Sequence, residues 1–136
     1  TLAVSNYWKN KGLDMAGFAM NDGSGLSRAN AVSAKHLVQI LTKMKSSKYY
    51  ESFYSSLPNC GKTGTLKNYG KGTKIYNNLR AKSGTMTRVK SFAGYVKSAS
   101  GKELVFAIIV NNYTCSTYDI GKKLEKLMIS LGDYNQ

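Results

Sequence analysis

The chain has 136 residues, enough for one ordinary domain or one large piece of a bigger one. Its 20 Lys and Arg against 7 Asp and Glu leave a net charge of +13, and 42% apolar with 11% aromatic content is too much for a disordered chain. One His and two Cys are too few for a structural zinc site, and no apolar run is long enough to span a membrane. Taken alone, the charge favours an anionic partner: nucleic acid, an acidic polymer or a membrane surface.

The chain opens on Thr1-Leu2-Ala3-Val4, which reads as mid-domain sequence, so a fragment or a processed product is expected. Ser5 to Leu13 reads as a short helix, capped by Ser5 and stopped by Gly12. Met15 to Met20 reads as a short strand, followed by the turn-rich Asn21-Asp22-Gly23-Ser24-Gly25. From Ala31 to Lys45, Val32, Leu37, Val38, Ile40, Leu41 and Met44 recur at spacings of three and four and predict an amphipathic helix. A second helix at 47–56 carries Tyr50, Phe53 and Tyr54 on one side and is closed by Pro58. Residues 59–78 are rich in Gly and Asn and predict an irregular loop with a short hairpin.

The remainder is different in kind. Leu79–Lys82, Arg88–Ser98 and Glu103–Tyr113 read as strands, the last two joined by the tight turn Ala99-Ser100-Gly101-Lys102. Leu104 to Val110 is continuously apolar and is expected to be buried on both faces. Ser116 to Leu131 closes the chain as a helix with Ile120, Leu124, Leu127, Met128 and Leu131 in a stripe. Helices around an antiparallel sheet make an α+β fold.

Three stretches hold groups that do chemistry. In Asp22-Gly23-Ser24-Gly25-Leu26-Ser27-Arg28-Ala29-Asn30, two glycines permit a sharp turn, and Ser27 and Asn30 offer a hydroxyl and an amide. From spacing alone, Ser27 or Asn30 is a cap for the next helix. In Lys82-Ser83-Gly84-Thr85, a cation, two hydroxyls and a glycine at a strand edge suit an anion, although in so basic a chain a solvated lysine in a turn explains them equally. Lys62-Thr63-Gly64-Thr65 nearly copies it but lies in the loop and reads as a loop element.

Taken together, DGSGLSRAN and AKSGT followed by FAGYV resemble the second and third motifs of the serine-type D-alanyl-D-alanine carboxypeptidase/endopeptidases. These are the class C low-molecular-mass penicillin-binding proteins of peptidase family S13. The resemblance covers residues 13–132 and implies the C-terminal part of a transpeptidase-like domain: a helical segment 1–58, a loop 59–78, and strands with a C-terminal helix over 79–132. The class also carries a Ser-x-x-Lys nucleophile motif. No such spacing occurs in this chain, so the half bearing the nucleophile is expected elsewhere as a partner of this one. Two departures stand out: Ser83 replaces the usual Thr, and Asn30 follows Ser27 by three residues rather than two.

The resemblance implies acyl transfer from a peptidoglycan stem peptide, inhibition by β-lactams, an extracytoplasmic location and no cofactor or metal. Ser27 would relay a proton to the departing amine, Asn30 would hold the substrate amide, and Lys82 would supply positive potential. Ser83, Gly84 and Thr85 would bind substrate, the two hydroxyls taking the terminal carboxylate and the Thr85 N–H serving an oxyanion hole. The scheme needs no histidine, and His36 reads as a partly buried helix residue. Tyr7 with Trp8 reads as packing, and Met15, Met20, Met44 and Met128 as core. A Cys60–Cys115 disulfide is left open: the location permits it and nothing in the sequence brings the two together. Two rival readings are a basic module on an anionic polymer and an inactive peptidoglycan-binding relative. The scatter of Lys9, Lys43, Lys67, Lys90 and Lys122 suits a solvated surface better than a nucleic-acid reader, so nucleic acid is not expected as a partner.

Overall fold

The computed structural model describes residues 2–136. Helix α1 covers Leu2–Asn10 and buries no residue. It starts earlier than the sequence suggests, with Ser5 inside it, and the chain turns out of it at Gly12, whose φ is 82°. The strand expected at Met15–Met20 shrinks to one bridge, Ala19 with Ala31, because Gly17 takes a positive φ of 76° and turns the chain. Helix α2 spans Ala34–Lys45. Neither Ser27 nor Asn30 caps it. Ser33 does, accepting from the His36 N–H while the His36 ring accepts from the Ser33 N–H. His36 is fully buried rather than partly so, and its second nitrogen lies 3.1 Å from the Ala16 carbonyl oxygen. With both ring nitrogens engaged, it is a structural residue.

Helix α3 covers Tyr50–Ser56 and stops at Leu57, which is extended as a residue before proline must be. Residues 59–78 form no hairpin; their one regular turn is a 3₁₀ turn at Gly64–Leu66. They are exposed at most positions, yet they also build the core. Cys60, Leu66 and Ile75 are each 0% exposed and form the middle of the core.

Three antiparallel strands follow: β1 (Leu79–Met86), β2 (Val89–Lys97) and β3 (Glu103–Asn111), in that order across the sheet. Strand β1 runs four residues past the expected end at Lys82, so Lys82-Ser83-Gly84-Thr85 lies within a strand and not in a turn. Strand β3 is not buried on both faces: as an outer strand it fully buries only Phe106. Helix α4 (Thr117–Asp133) begins at Ser116, whose hydroxyl accepts from the Asp119 N–H.

Side-chain alternation splits the core into two layers. On one face, Leu79, Ala81, Phe92, Val96 and Phe106 meet Ile120, Leu124 and Met128 of α4 and the buried residues of 59–78. On the other, Tyr95 with Ala93 and Val105 meets Leu41 of α2, Tyr50, Phe53 and Tyr54 of α3, and Leu57. The Tyr95 hydroxyl donates to the Leu41 carbonyl at 2.8 Å, which satisfies both polar groups inside an apolar layer. A buried carboxylate ties α4 to the 59–78 segment: Glu125 accepts from the Gly70 N–H at 2.7 Å and pairs with Lys122 at 2.8 Å.

The closest approach in the sheet is at Gly94, directly opposite Ala81. A Cβ there would lie 2.0 Å from the Arg80 carbonyl oxygen and 2.6 Å from the Ala81 Cα, both rigid backbone. Gly94→Ala therefore forces β1 from β2. We expect it to cost more than about 3 kcal/mol of stability, read from the urea midpoint.

Both cysteines are free thiols. Burial first, and then the Glu125 charge, pushes Cys60 up to about 11 from an ordinary 9.0, and burial first pushes Tyr95 up to about 12. A raised folded pKa stabilises fully below the ordinary value and the effect fades as pH rises through the folded one. Stability should thus decline from about pH 9 upward as measured by thermal melting, and a thiol reagent should reach Cys115 in the native protein but Cys60 only after unfolding.

Candidate active site

Asp22 organises the loop at 21–30. Its carboxylate accepts from the Ser24 hydroxyl (2.9 Å), the Asn30 side-chain amide (2.8 Å) and the N–H groups of Gly25 (3.1 Å) and Ser27 (3.2 Å). These bonds, that from Asn30 first and then that from Ser24, hold its carboxyl below the usual aspartate range. The Asn30 side-chain Oδ1 in turn accepts from the N–H groups of Asn21 (2.6 Å) and Asp22 (3.2 Å). Asn30 is thus a brace of the loop, with one amide hydrogen bonded to Asp22 and the other without a partner among the described residues. The half-buried Ser27 hydroxyl accepts from the Asn21 amide and the Ala29 N–H, both at 3.2 Å. Its own proton has no acceptor among the described residues.

The Lys82–Thr85 stretch lies on an outer strand whose free edge is closed only at its start. Cys60 donates its N–H to the Leu79 carbonyl (2.9 Å), and Ala81 donates to the Pro58 carbonyl (3.1 Å). Backbone groups alternate in direction along a strand, so Ser83 and Thr85 face the same edge as Leu79 and Ala81. No backbone partner follows Ala81 on that edge among the described residues. The Thr85 N–H is therefore presented outward at an open edge.

Side chains alternate too. Lys82 is exposed and folds its ammonium onto the Ser83 carbonyl at 2.9 Å, with no carboxylate partner among the described residues. Gly84 has a reason the sequence did not show: a Cβ there would meet the Ser91 hydroxyl of the next strand at 2.5 Å. Ser83 and Thr85 share the opposite face, and each has a partner that sequence reasoning missed. The Ser83 hydroxyl donates to the Thr65 hydroxyl at 2.8 Å, so the free proton of that pair belongs to Thr65. Thr65 comes from Lys62-Thr63-Gly64-Thr65, which the sequence presents as a loop element. The Lys90 ammonium of β2 donates to the Thr85 hydroxyl at 2.7 Å and stands 5.6 Å from the centre of the Phe92 ring. Burial pushes Lys90 below the ordinary lysine range.

Ser83 with Thr65, and Thr85 with Lys90, thus form two polar pairs along one face of the strand end. No hydrogen bond or ion pair links the 21–30 loop to Lys82–Thr85 among the described residues. The same residues hold no cluster of three or more His, Cys, Asp or Glu fit for a metal, and no helix long and apolar enough to cross a membrane.

Because Asp22 is lowered below its ordinary value, its contribution to the loop is present above that value and is lost as pH falls through the lower one. Asp22→Ala at neutral pH, or acidification of the native chain, should speed hydrogen exchange at the Gly25 and Ser27 amides while leaving those of β2 protected.

The model of the D-Ala-D-Ala carboxypeptidase 3 (S13) family matches residues 1–131. A D-alanyl-D-alanine carboxypeptidase of Actinomadura sp. (strain R39) is 40% identical over 108 residues, covering 76% of this chain and 20% of that protein. D-alanyl-D-alanine carboxypeptidase DacB of Haemophilus influenzae is 29% identical over 128 residues, 93% of this chain and 26% of its own. The crystal structure of penicillin binding protein 4 (dacB) from Haemophilus influenzae superposes with a TM-score of 0.86 at 25% identity, over 98% of this chain and 31% of that one. A predatory peptidoglycan endopeptidase from Bdellovibrio bacteriovorus shares the fold, with a TM-score of 0.73 at 18% identity over 100% of this chain and 38% of that one. The chain therefore spans between a fifth and two fifths of the proteins it resembles. With the family model matched along nearly its whole length and both motif stretches inside the match, this chain belongs to the D-Ala-D-Ala carboxypeptidase S13 family.

Proposed function

We propose that this chain supplies the second and third motifs of a serine-type D-alanyl-D-alanine carboxypeptidase or endopeptidase that trims peptidoglycan stem peptides outside the cytoplasm. The observation that carries the reading is the open outer edge of β1, where the outward Thr85 N–H sits beside two hydroxyls and an ammonium. An edge strand of this kind can take an extended peptide as an added strand, and N–H groups with hydroxyl donors suit a peptide that ends in a carboxylate. The β-lactam complex of the Haemophilus influenzae relative, which superposes with a TM-score of 0.87 at 25% identity, supports the same chemistry for the family.

In this reading a serine of a Ser-x-x-Lys segment, carried by the rest of the polypeptide, attacks the carbonyl of the penultimate D-Ala and gives up its hydroxyl proton to the lysine of that segment, from which it returns through Ser27. Terminal D-Ala leaves and water releases the acyl group. The Thr85 N–H and the N–H of that serine receive the developing oxyanion. Ser27, whose hydroxyl proton has no acceptor in its own loop, passes a proton to the departing amine. Lys82, a solvent-facing cation without a carboxylate partner, favours the anionic substrate. Asn30 keeps the Ser27 loop in shape and offers its remaining amide hydrogen to the substrate amide. The carboxylate is received by the Thr85 hydroxyl and, because Ser83 gives its proton to Thr65, by Ser83 acting through the Thr65 hydroxyl. None of these steps calls for a cofactor.

Fluorescent penicillin tests the reading on the polypeptide that carries both this chain and a Ser-x-x-Lys segment. Covalent labelling and release of D-alanine from a pentapeptide are expected, and Ser27→Ala or Lys82→Ala should slow labelling by about 10²–10³-fold. Absence of label together with absence of D-alanine release overturns it. Retained binding of the peptide would then favour an inactive relative, and steeply salt-dependent binding to polyanions a basic module.

A further inference from the structure

Lys90 is a chemical oddity of the sheet. It occupies an inward position on β2, on the same face as Phe92 and Val96, where alternation calls for an apolar side chain. Lys90 is half-buried as a residue, and a lysine at such an inward position normally has a carboxylate beside it. The ion pairs among the described residues are Lys35–Asp14, Lys45–Glu103 and Lys122–Glu125, and Lys90 is in none of them. Its contacts are neutral: the Thr85 hydroxyl at 2.7 Å and the Phe92 ring at 5.6 Å. A hydroxyl oxygen that accepts from an ammonium must send its own proton elsewhere. Thr85 is directly opposite Lys90 in register and next to the open strand edge, so that proton is available to a group arriving at the edge.

We propose that Lys90 is a positioning residue for the substrate's terminal carboxylate: its ammonium fixes the Thr85 hydroxyl as a donor and adds an uncompensated positive charge behind it. This rests on the carboxypeptidase reading and deepens it. An anion held by Thr85 alone would meet a hydroxyl free to rotate; with Lys90 present it meets a polarised donor already aimed. The effect requires a charged terminus, which separates it from an ordinary cross-strand contact whose only role is to hold the sheet.

The test compares wild type, Lys90→Met, Lys90→Gln and Lys90→Arg, each in the complete polypeptide, on a peptide ending in D-Ala-D-Ala carboxylate and on the same peptide ending in an amide. Loss of a charge-assisted donor predicts a fall of about 10–100-fold in kcat/KM for Lys90→Met on the carboxylate. That fall should be carried mainly by KM, with little change on the amide and most of the loss recovered in Lys90→Arg. Equal loss on both peptides, or loss on neither, overturns the proposal. Should Lys90→Met not fold, Lys90→Gln, which keeps a donor without the charge, serves in its place: loss confined to the carboxylate peptide supports the proposal, and equal loss on both or on neither overturns it. A wild-type polypeptide that takes no penicillin label and releases no D-alanine overturns the carboxypeptidase reading instead. In that event calorimetric titration with D-alanyl-D-alanine and its amide tests Lys90 by itself: weaker binding of the free dipeptide alone in the variant supports it, and equal affinity overturns it.

Discussion

The short pairing of residues 58–60 with the start of β1 is the constraint on which the rest of this chain depends. Two backbone hydrogen bonds, Cys60 to Leu79 and Ala81 to Pro58, seal the first half of an outer strand. They also set the position of everything between. With Cys60 pinned at the strand, Leu66 and Ile75 drop into the core beneath α4, and the 3₁₀ turn at Gly64–Leu66 carries Thr65 to Ser83. Where the pairing ends, the strand edge opens, and the motif begins at that point. One local backbone contact thereby separates the part of β1 that builds the core from the part whose edge stays open.

The two sides of the sheet divide the labour in the same way. The α4 face is an apolar layer, closed by Glu125 on the Gly70 N–H. The α2–α3 face is aromatic, with Tyr95 packed edge-on to Tyr50 and hydrogen-bonded into α2. Between them the strand end carries polar groups satisfied mainly by one another. Net positive charge is spread over the surface, yet around β1 it is local and specific. Lys82 is solvent-facing, whereas Lys90 is held against a ring and a hydroxyl.

Much of this is legible in the sequence. Period-3.6 stripes identify α2 and α4, and the Ser100-Gly101 turn identifies the β2–β3 hairpin. The motif stretches are also visible, since Asp-Gly-Ser-Gly and Lys-Ser-Gly-Thr are unusual strings. Other features are hidden for physical reasons. Cys60, Leu66 and Ile75 lie too far apart, among glycines and asparagines, for any periodicity to join them, so a core segment reads as loop. Strand β1 beyond Lys82 has no apolar alternation, because its outer half buries no side chain in the core. Thr65 carries no mark at all, as its role comes from tertiary contact. Lys90 does carry one: a lysine in phase with Phe92 and Val96 breaks the alternation of its strand, and a break of that sort marks a side chain with something other than packing to do.

Ser83 stands where the family pattern has threonine, and its bond to Thr65 gives that difference a meaning. A threonine is stiff because two heavy atoms on Cβ confine its first torsion, while serine turns with far more freedom. An anchor 18 residues upstream removes that freedom again. The rotamer that branching would have fixed covalently is held here by a partner across the fold, so the order of the strand end becomes a property of the 59–78 segment as much as of the motif itself.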